Sequence, residues 1–182
     1  GHIEPEINSV QKEITYQQTS QLFWNSGSGR MVDISEDSGP FFLEEIVARG
    51  LSAGDVDGDG DLDVLMTTNG GRAYLRRNDG PTGKAIAIKL RSQGGNKRAI
   101  GALVSVTSRE RTQTQMVRTG SSDLSHSPLE LTFGVGQVER VERIEIRWPD
   151  GTQESIEDVA TSQRYQITQG EGVVHTTSFS HL

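Results

Sequence analysis

From Lys84 onward, apolar and polar residues alternate with a period of two, the spacing of strands that turn one face to a core and the other to water. Ile86, Ile88 and Leu90 share one face, followed by Ile100, Ala102, Val104 and Val106, then by Leu129, Leu131, Phe133 and Val135. In a fourth set Ile144, Ile146 and Trp148 stand opposite Arg143, Glu145 and Arg147. Turn formers such as Pro149-Asp150-Gly151 separate the sets. This pattern predicts an antiparallel β-sandwich-like domain over residues 84–170, closing after a Tyr165-Gln166-Ile167 strand. Residues 171–182 form a tail in which Val173 to Thr177 is either a last strand or frayed.

Ahead of Lys84 the pattern is different and weakly repetitive. Leu22-Phe23-Trp24-Asn25-Ser26-Gly27 and Leu75-Arg76-Arg77-Asn78-Asp79-Gly80 share an L-x-x-N-x-G frame at an offset of 53, a period that suits propeller blades. Each frame reads as a strand ending in a turn, and Met31 to Ile34 reads as another short strand. Residues 21–83 are therefore expected to be a partial β-propeller blade, with residues 1–20 an extension or the remnant of a preceding blade. The fold class is all-β. An incomplete propeller exposes the faces its missing blades would cover, so the fragment is expected to pack on its own C-terminal domain or to self-associate. The start at Gly1-His2 suggests a processed or excised piece of a longer protein.

Between the two frames lies the main candidate for chemistry, Asp55-Val56-Asp57-Gly58-Asp59-Gly60-Asp61-Leu62-Asp63. Carboxylates at alternate positions can converge on a hard cation such as Ca²⁺, which takes about six to eight oxygens. Gly60 permits the curl because it lacks a Cβ. Asp55, Asp57, Asp59 and Asp63 are the expected side-chain ligands and Asp61 the expected carbonyl ligand. An EF-hand would need a bidentate Glu at its twelfth position, where this chain has Met66. Leu62 to Thr68 instead reads as a strand leading into an Asn69-Gly70 turn, so the loop joins two strands.

Charge and composition narrow the partners. The net charge is −7, most of it carried by the loop aspartates, and the mixed remainder offers no basic footprint for nucleic acid. With no Cys there is neither a disulfide nor a thiolate site. No apolar run is long enough to span a membrane. A calcium loop suits a secreted, periplasmic or cell-surface setting, where the ion is plentiful.

The acidic loop, followed by Tyr74-Leu75-Arg76-Arg77-Asn78, resembles an FG-GAP or VCBS repeat, the calcium-bearing unit of propeller blades. Asn96 to Val104, Gly120 to Ser125, Leu131 to Gly136 and Arg147 to Gly151 resemble the ASPIC/UnbV domain. Together they resemble the C-terminal end of the cartilage acidic protein-like family. The resemblance implies a calcium-binding, non-enzymatic extracellular protein with an adhesion-type role, and it brings no catalytic residues.

Other chemistry is weaker. Asp123-Leu124-Ser125-His126-Ser127 holds the residue types of a hydrolase triad, but neighbours along a strand point to opposite faces. His2, His175 and His181 stand singly, without zinc spacing. Gly94-Gly95-Asn96-Lys97 lacks the P-loop frame and reads as a turn, and Arg49-Gly50 is followed by Leu51 rather than by the Asp of an adhesion tripeptide. Trp148 is in phase with core positions, whereas Trp24 could stack on a sugar. The expected function is thus a non-enzymatic calcium-binding interaction module with a protein or glycan partner. The alternatives are a carbohydrate-binding module or an accessory domain of a larger enzyme.

Overall fold

A computed structural model of the chain describes residues 1–80, 83–109 and 111–180. It is all-β apart from single turns of helix at Ile7–Val10, Glu36–Ser38 and Pro40–Leu43. Two compact units are formed, Gly1–Gly50 with Met66–Tyr74, and Leu51–Leu65 with Leu75–Leu182. The second unit gathers the acidic loop and the residues just after it with the C-terminal sheets, whereas the sequence pattern drew its division at Lys84.

In the first unit, strands β1 (Phe23–Asn25) and β2 (Met31–Asp33) form an antiparallel ribbon with Trp24 opposite Val32. Its side chains are exposed on both faces. Ile7, Ile46, Val47 and Met66 are the buried apolar residues of this unit. Strands β3 (Ala48–Gly54), β4 (Asp63–Thr68) and β5 (Tyr74–Arg76) follow in a separate sheet of that order. The strands expected of one blade are thus distributed over two small sheets, with the short helical turns around Pro40 intervening between β2 and β3. Both L-x-x-N-x-G frames take the same local form. A strand runs into a turn in which the Asn side chain accepts the N–H of the Gly two residues on, at 3.0 Å for Asn25 and 3.4 Å for Asn78.

The second unit contains a sandwich. Its eight further strands are β6 (Lys84–Arg91), β7 (Leu103–Ser108), β8 (Arg111–Met116), β9 (Leu131–Gly136), β10 (Arg140–Arg147), β11 (Gln153–Ala160), β12 (Gln163–Thr168) and β13 (Gly172–Ser178). They form sheets of order β11-β10-β7-β8 and β13-β12-β6-β9. The alternating positions of both sheets meet in one core that includes Ile86, Ile88, Val104, Phe133, Ile144 and Ile167. Every ladder resolved in these sheets is antiparallel except β6 with β12, which is parallel. Between those two strands the chain passes through the other sheet, so no hairpin forces them to oppose. Ile100 departs from the expected face. Positive φ at Ala99 (52°) and Gly101 (93°) makes a turn there, the Asn96 side chain bonds Ile100 at both N–H and C=O, and Ile100 is exposed. Alternation begins instead at Ala102.

Over residues 85–88, strand β6 is buried on both faces. Behind its isoleucines, Ala85 and Ala87 pack against Phe179, just beyond β13. Small residues are needed here because the aromatic ring lies close to the strand.

Candidate metal site

Two local features curl the acidic loop. Gly58 and Gly60 take φ of 86° and 98°, the left-handed region that a side chain resists. Side-chain carboxylates then accept the loop's own N–H groups: Gly58 and Gly60 donate to Asp55 at 2.7 and 3.1 Å, Asp61 donates to Asp59 at 2.9 Å, and Val56 donates to Asp63 at 2.8 Å. Asp63 is 1% exposed and also accepts the N–H of Asn78 at 2.9 Å. It therefore ties the loop's first residues to the second repeat frame.

This geometry brings Asp55, Asp57 and Asp63 together. One carboxylate oxygen from each lies within 4.8 Å of the others. Two oxygens bound to one calcium ion are separated by at most about twice the metal–oxygen distance, roughly 5 Å, so the trio fits a single hard cation. Asp59 and Asp61 lie on the same loop, half-buried, with their carboxylates outside this trio. An all-oxygen donor set favours calcium or magnesium over zinc or copper.

Two arginines approach the trio. The Nη2 of Arg164, on β12, donates to Oδ2 of Asp55 at 2.8 Å, its Nε donates to Glu130 at 3.0 Å, and its guanidinium carbon lies 5.6 Å from the Phe179 ring centre. Arg77 comes within 3.4 Å of Asp57 but is closer to Asp79, at 2.6 Å, and about half-exposed. Its hydrogen bond to Asp79 is the main cause holding it more firmly protonated than usual. The C-terminal end also clamps the loop. Ser180 donates its N–H to the Gly58 carbonyl at 2.8 Å, and a Cβ on Gly60 would meet the Phe179 ring at 2.7 Å. A groove of ≈ 650 Å³ opens beside the loop, lined in part by Asp59, Asp61, Arg77, Lys84 and Phe179.

Sequence reasoning missed Arg164, Glu130 and Phe179, which lie far along the chain from the loop and carry no local pattern. Asn78 was visible only as a member of the repeat frame.

The remaining candidates are dispersed. The Ser125 hydroxyl donates to the Leu51 carbonyl at 3.2 Å, while Nδ1 of His126 sits 2.9 Å from the Ser127 carbonyl, so the two are not paired as nucleophile and base. Ser122 and Ser127 accept the N–H groups of Leu51 and Ala53 at 3.0 Å, so this serine-rich loop takes up backbone groups of the strand that leads into the acidic loop. His2 accepts from the Glu4 N–H, His175 pairs with Thr177, and His181 lies outside the described residues. Trp148 is 2% exposed and Trp24 57%. No helix among the described residues is long and apolar enough to cross a membrane.

Comparison with known proteins agrees with the order read from the sequence. Residues 10–66 match the FG-GAP-like repeat and residues 92–174 match the ASPIC and UnbV family. The chain carries an FG-GAP-like repeat followed by an ASPIC and UnbV domain. No curated protein matches it. A crystal structure of a candidate cell adhesion protein from Bacteroides ovatus is similar at 12% identity and a TM-score of 0.30, over 73% of this chain and 62% of that one. The chain thus spans less than two thirds of that protein's length.

Proposed function

We propose that this chain is a calcium-binding, non-enzymatic interaction module of an extracellular or cell-surface protein, with a protein partner. The observation that carries the reading is the convergence of Asp55, Asp57 and Asp63, one of them fully buried, with a carboxylate oxygen of each within 4.8 Å of the others. Asp55, Asp57 and Asp63 would hold the ion through carboxylate oxygens, with Asp59 and Asp61 completing the shell directly or through water. The ion would supply positive charge and rigidity, and the loop's hydrogen bonds position the carboxylates for it. A non-catalytic role is supported by the separate engagements of Ser125 and His126.

Calorimetry with and without a chelator tests this. If the site is about 99% filled, linkage contributes roughly 2.7 kcal/mol, and chelation should lower the melting temperature by about 5–10 °C. An unchanged melting temperature rules the reading out.

The exposure of Trp24 favours one other reading, a glycan-binding module. Stacking on a sugar would quench or blue-shift Trp24 emission, with buried Trp148 as a silent background. The interaction-module reading expects no change when acidic and neutral polysaccharides are titrated in.

A further inference from the structure

Lone-pair accounting at Asp55 gives Arg164 a part in metal binding. Oδ2 of Asp55 accepts the Gly60 N–H at 3.1 Å and Arg164 Nη2 at 2.8 Å, which uses both of its lone pairs. Oδ1 accepts the Gly58 N–H at 2.7 Å. Each oxygen of Asp63 takes one backbone N–H and keeps a lone pair for a cation. Asp55 thus keeps a lone pair on Oδ1 alone, and the side chain that takes up its Oδ2 is Arg164; at Asp57 the corresponding contact, to Arg77, is longer at 3.4 Å.

The contest takes place away from bulk water, since the Asp55 side chain is 2% exposed and that of Arg164 31%. Charges in such a place are screened far less than on the open surface. Arg77 is the weaker rival because it is half-exposed and held by Asp79. Glu130 is the third party. It accepts Arg164 Nε at 3.0 Å and so draws part of the guanidinium's charge away from Asp55.

We propose that Arg164 is a resident counter-ion of the acidic loop, competing with the bound cation for Asp55, and that Glu130 sets how strongly it competes. Without metal, the guanidinium offsets the mutual repulsion of the carboxylates and holds the loop on β12. When calcium binds, the ion takes over that role at Asp55 while a like charge stands nearby, so affinity is held below what the carboxylates alone would give. The consequence is a loop that keeps its shape across changes in calcium concentration. This rests on the calcium reading above and deepens it.

The two residues predict opposite shifts, which simple structural damage would not produce. Isothermal titration of the full chain with calcium should give an affinity about tenfold tighter for Arg164→Met, the scale expected when one partly screened like charge is removed near the ion. Glu130→Gln removes the carboxylate charge that offsets the guanidinium and should weaken calcium about threefold, an effect that disappears in the Arg164→Met background if Glu130 acts through Arg164. Opposite shifts support the proposal. If both variants bind more weakly, or neither changes while wild type still binds, Arg164 is only a brace and the proposal is wrong. If wild type takes up no calcium, the calcium reading falls and the proposal falls with it.

Discussion

Asp63→Ala is expected to destabilise the protein by about 2–4 kcal/mol even with calcium chelated, because two backbone N–H groups, of Val56 and Asn78, lose their acceptor at a fully buried position. With calcium present the loss should grow by the linkage contribution of the vanished site, to roughly 5 kcal/mol or more. Asp57→Ala makes the informative contrast. Among the described residues its carboxylate accepts a long bond from Asp59 N–H, at 3.4 Å, besides the ion pair to half-exposed Arg77. In chelator that variant should melt within about 1 kcal/mol of wild type, and in calcium it should lose the metal's stabilisation alone. Denaturant titration of both variants in both conditions separates the two roles of the loop's carboxylates. Equal losses for Asp57→Ala and Asp63→Ala in chelator would mean that the buried hydrogen bonds of Asp63 are not what holds the loop to the second repeat frame.

The contrast also marks how far the sequence could be read. Aspartate at every odd position announces a cation loop because that regularity needs a reason, but spacing treats all five residues alike. Asp63 is distinguished only by what folds over it, including a backbone N–H fifteen residues on. The sandwich strands were legible from two-residue alternation because a half-buried strand leaves that mark wherever it occurs. Alternation does not report how strands pair, so the parallel β6–β12 ladder was invisible. Nor does it report a second covered face. The alanines that alternate with the isoleucines of β6 looked like ordinary small residues, and only the fold shows that Phe179 packs against them. Arg164 sits in an unremarkable strand, and its ion pair with Asp55 spans a separation of 109 residues.

The largest effect in the sandwich is expected at Trp148, which follows β10 directly and is 2% exposed in the core with Ile144, Ile146 and their neighbours. The turn beyond it is firmly built. Trp148 accepts the Gly151 N–H and donates to the Thr152 carbonyl, both at 2.9 Å, while Asp150 accepts from Thr152 and from the Gln169 amide. The Thr152 bonds, foremost the backbone one, hold the Asp150 carboxyl below the ordinary carboxylate range, so this turn keeps its stabilising contribution at neutral pH and loses it only as pH falls through that depressed value. With its backbone so constrained, the site cannot collapse around a missing ring. Trp148→Ala should therefore fall at the upper end of large-to-small substitutions, about 4–5 kcal/mol, and lower the melting temperature by roughly 10 °C or more. Trp148→Phe should cost far less, under about 2 kcal/mol. The smaller ring leaves a cavity, but it also removes an indole N–H that has no hydrogen-bond acceptor among the described residues, and the two changes partly offset each other. Thermal melts that place Phe beside Ala rather than beside wild type would show that the indole N–H is well satisfied in solution and that its polar end, not only its bulk, holds the core.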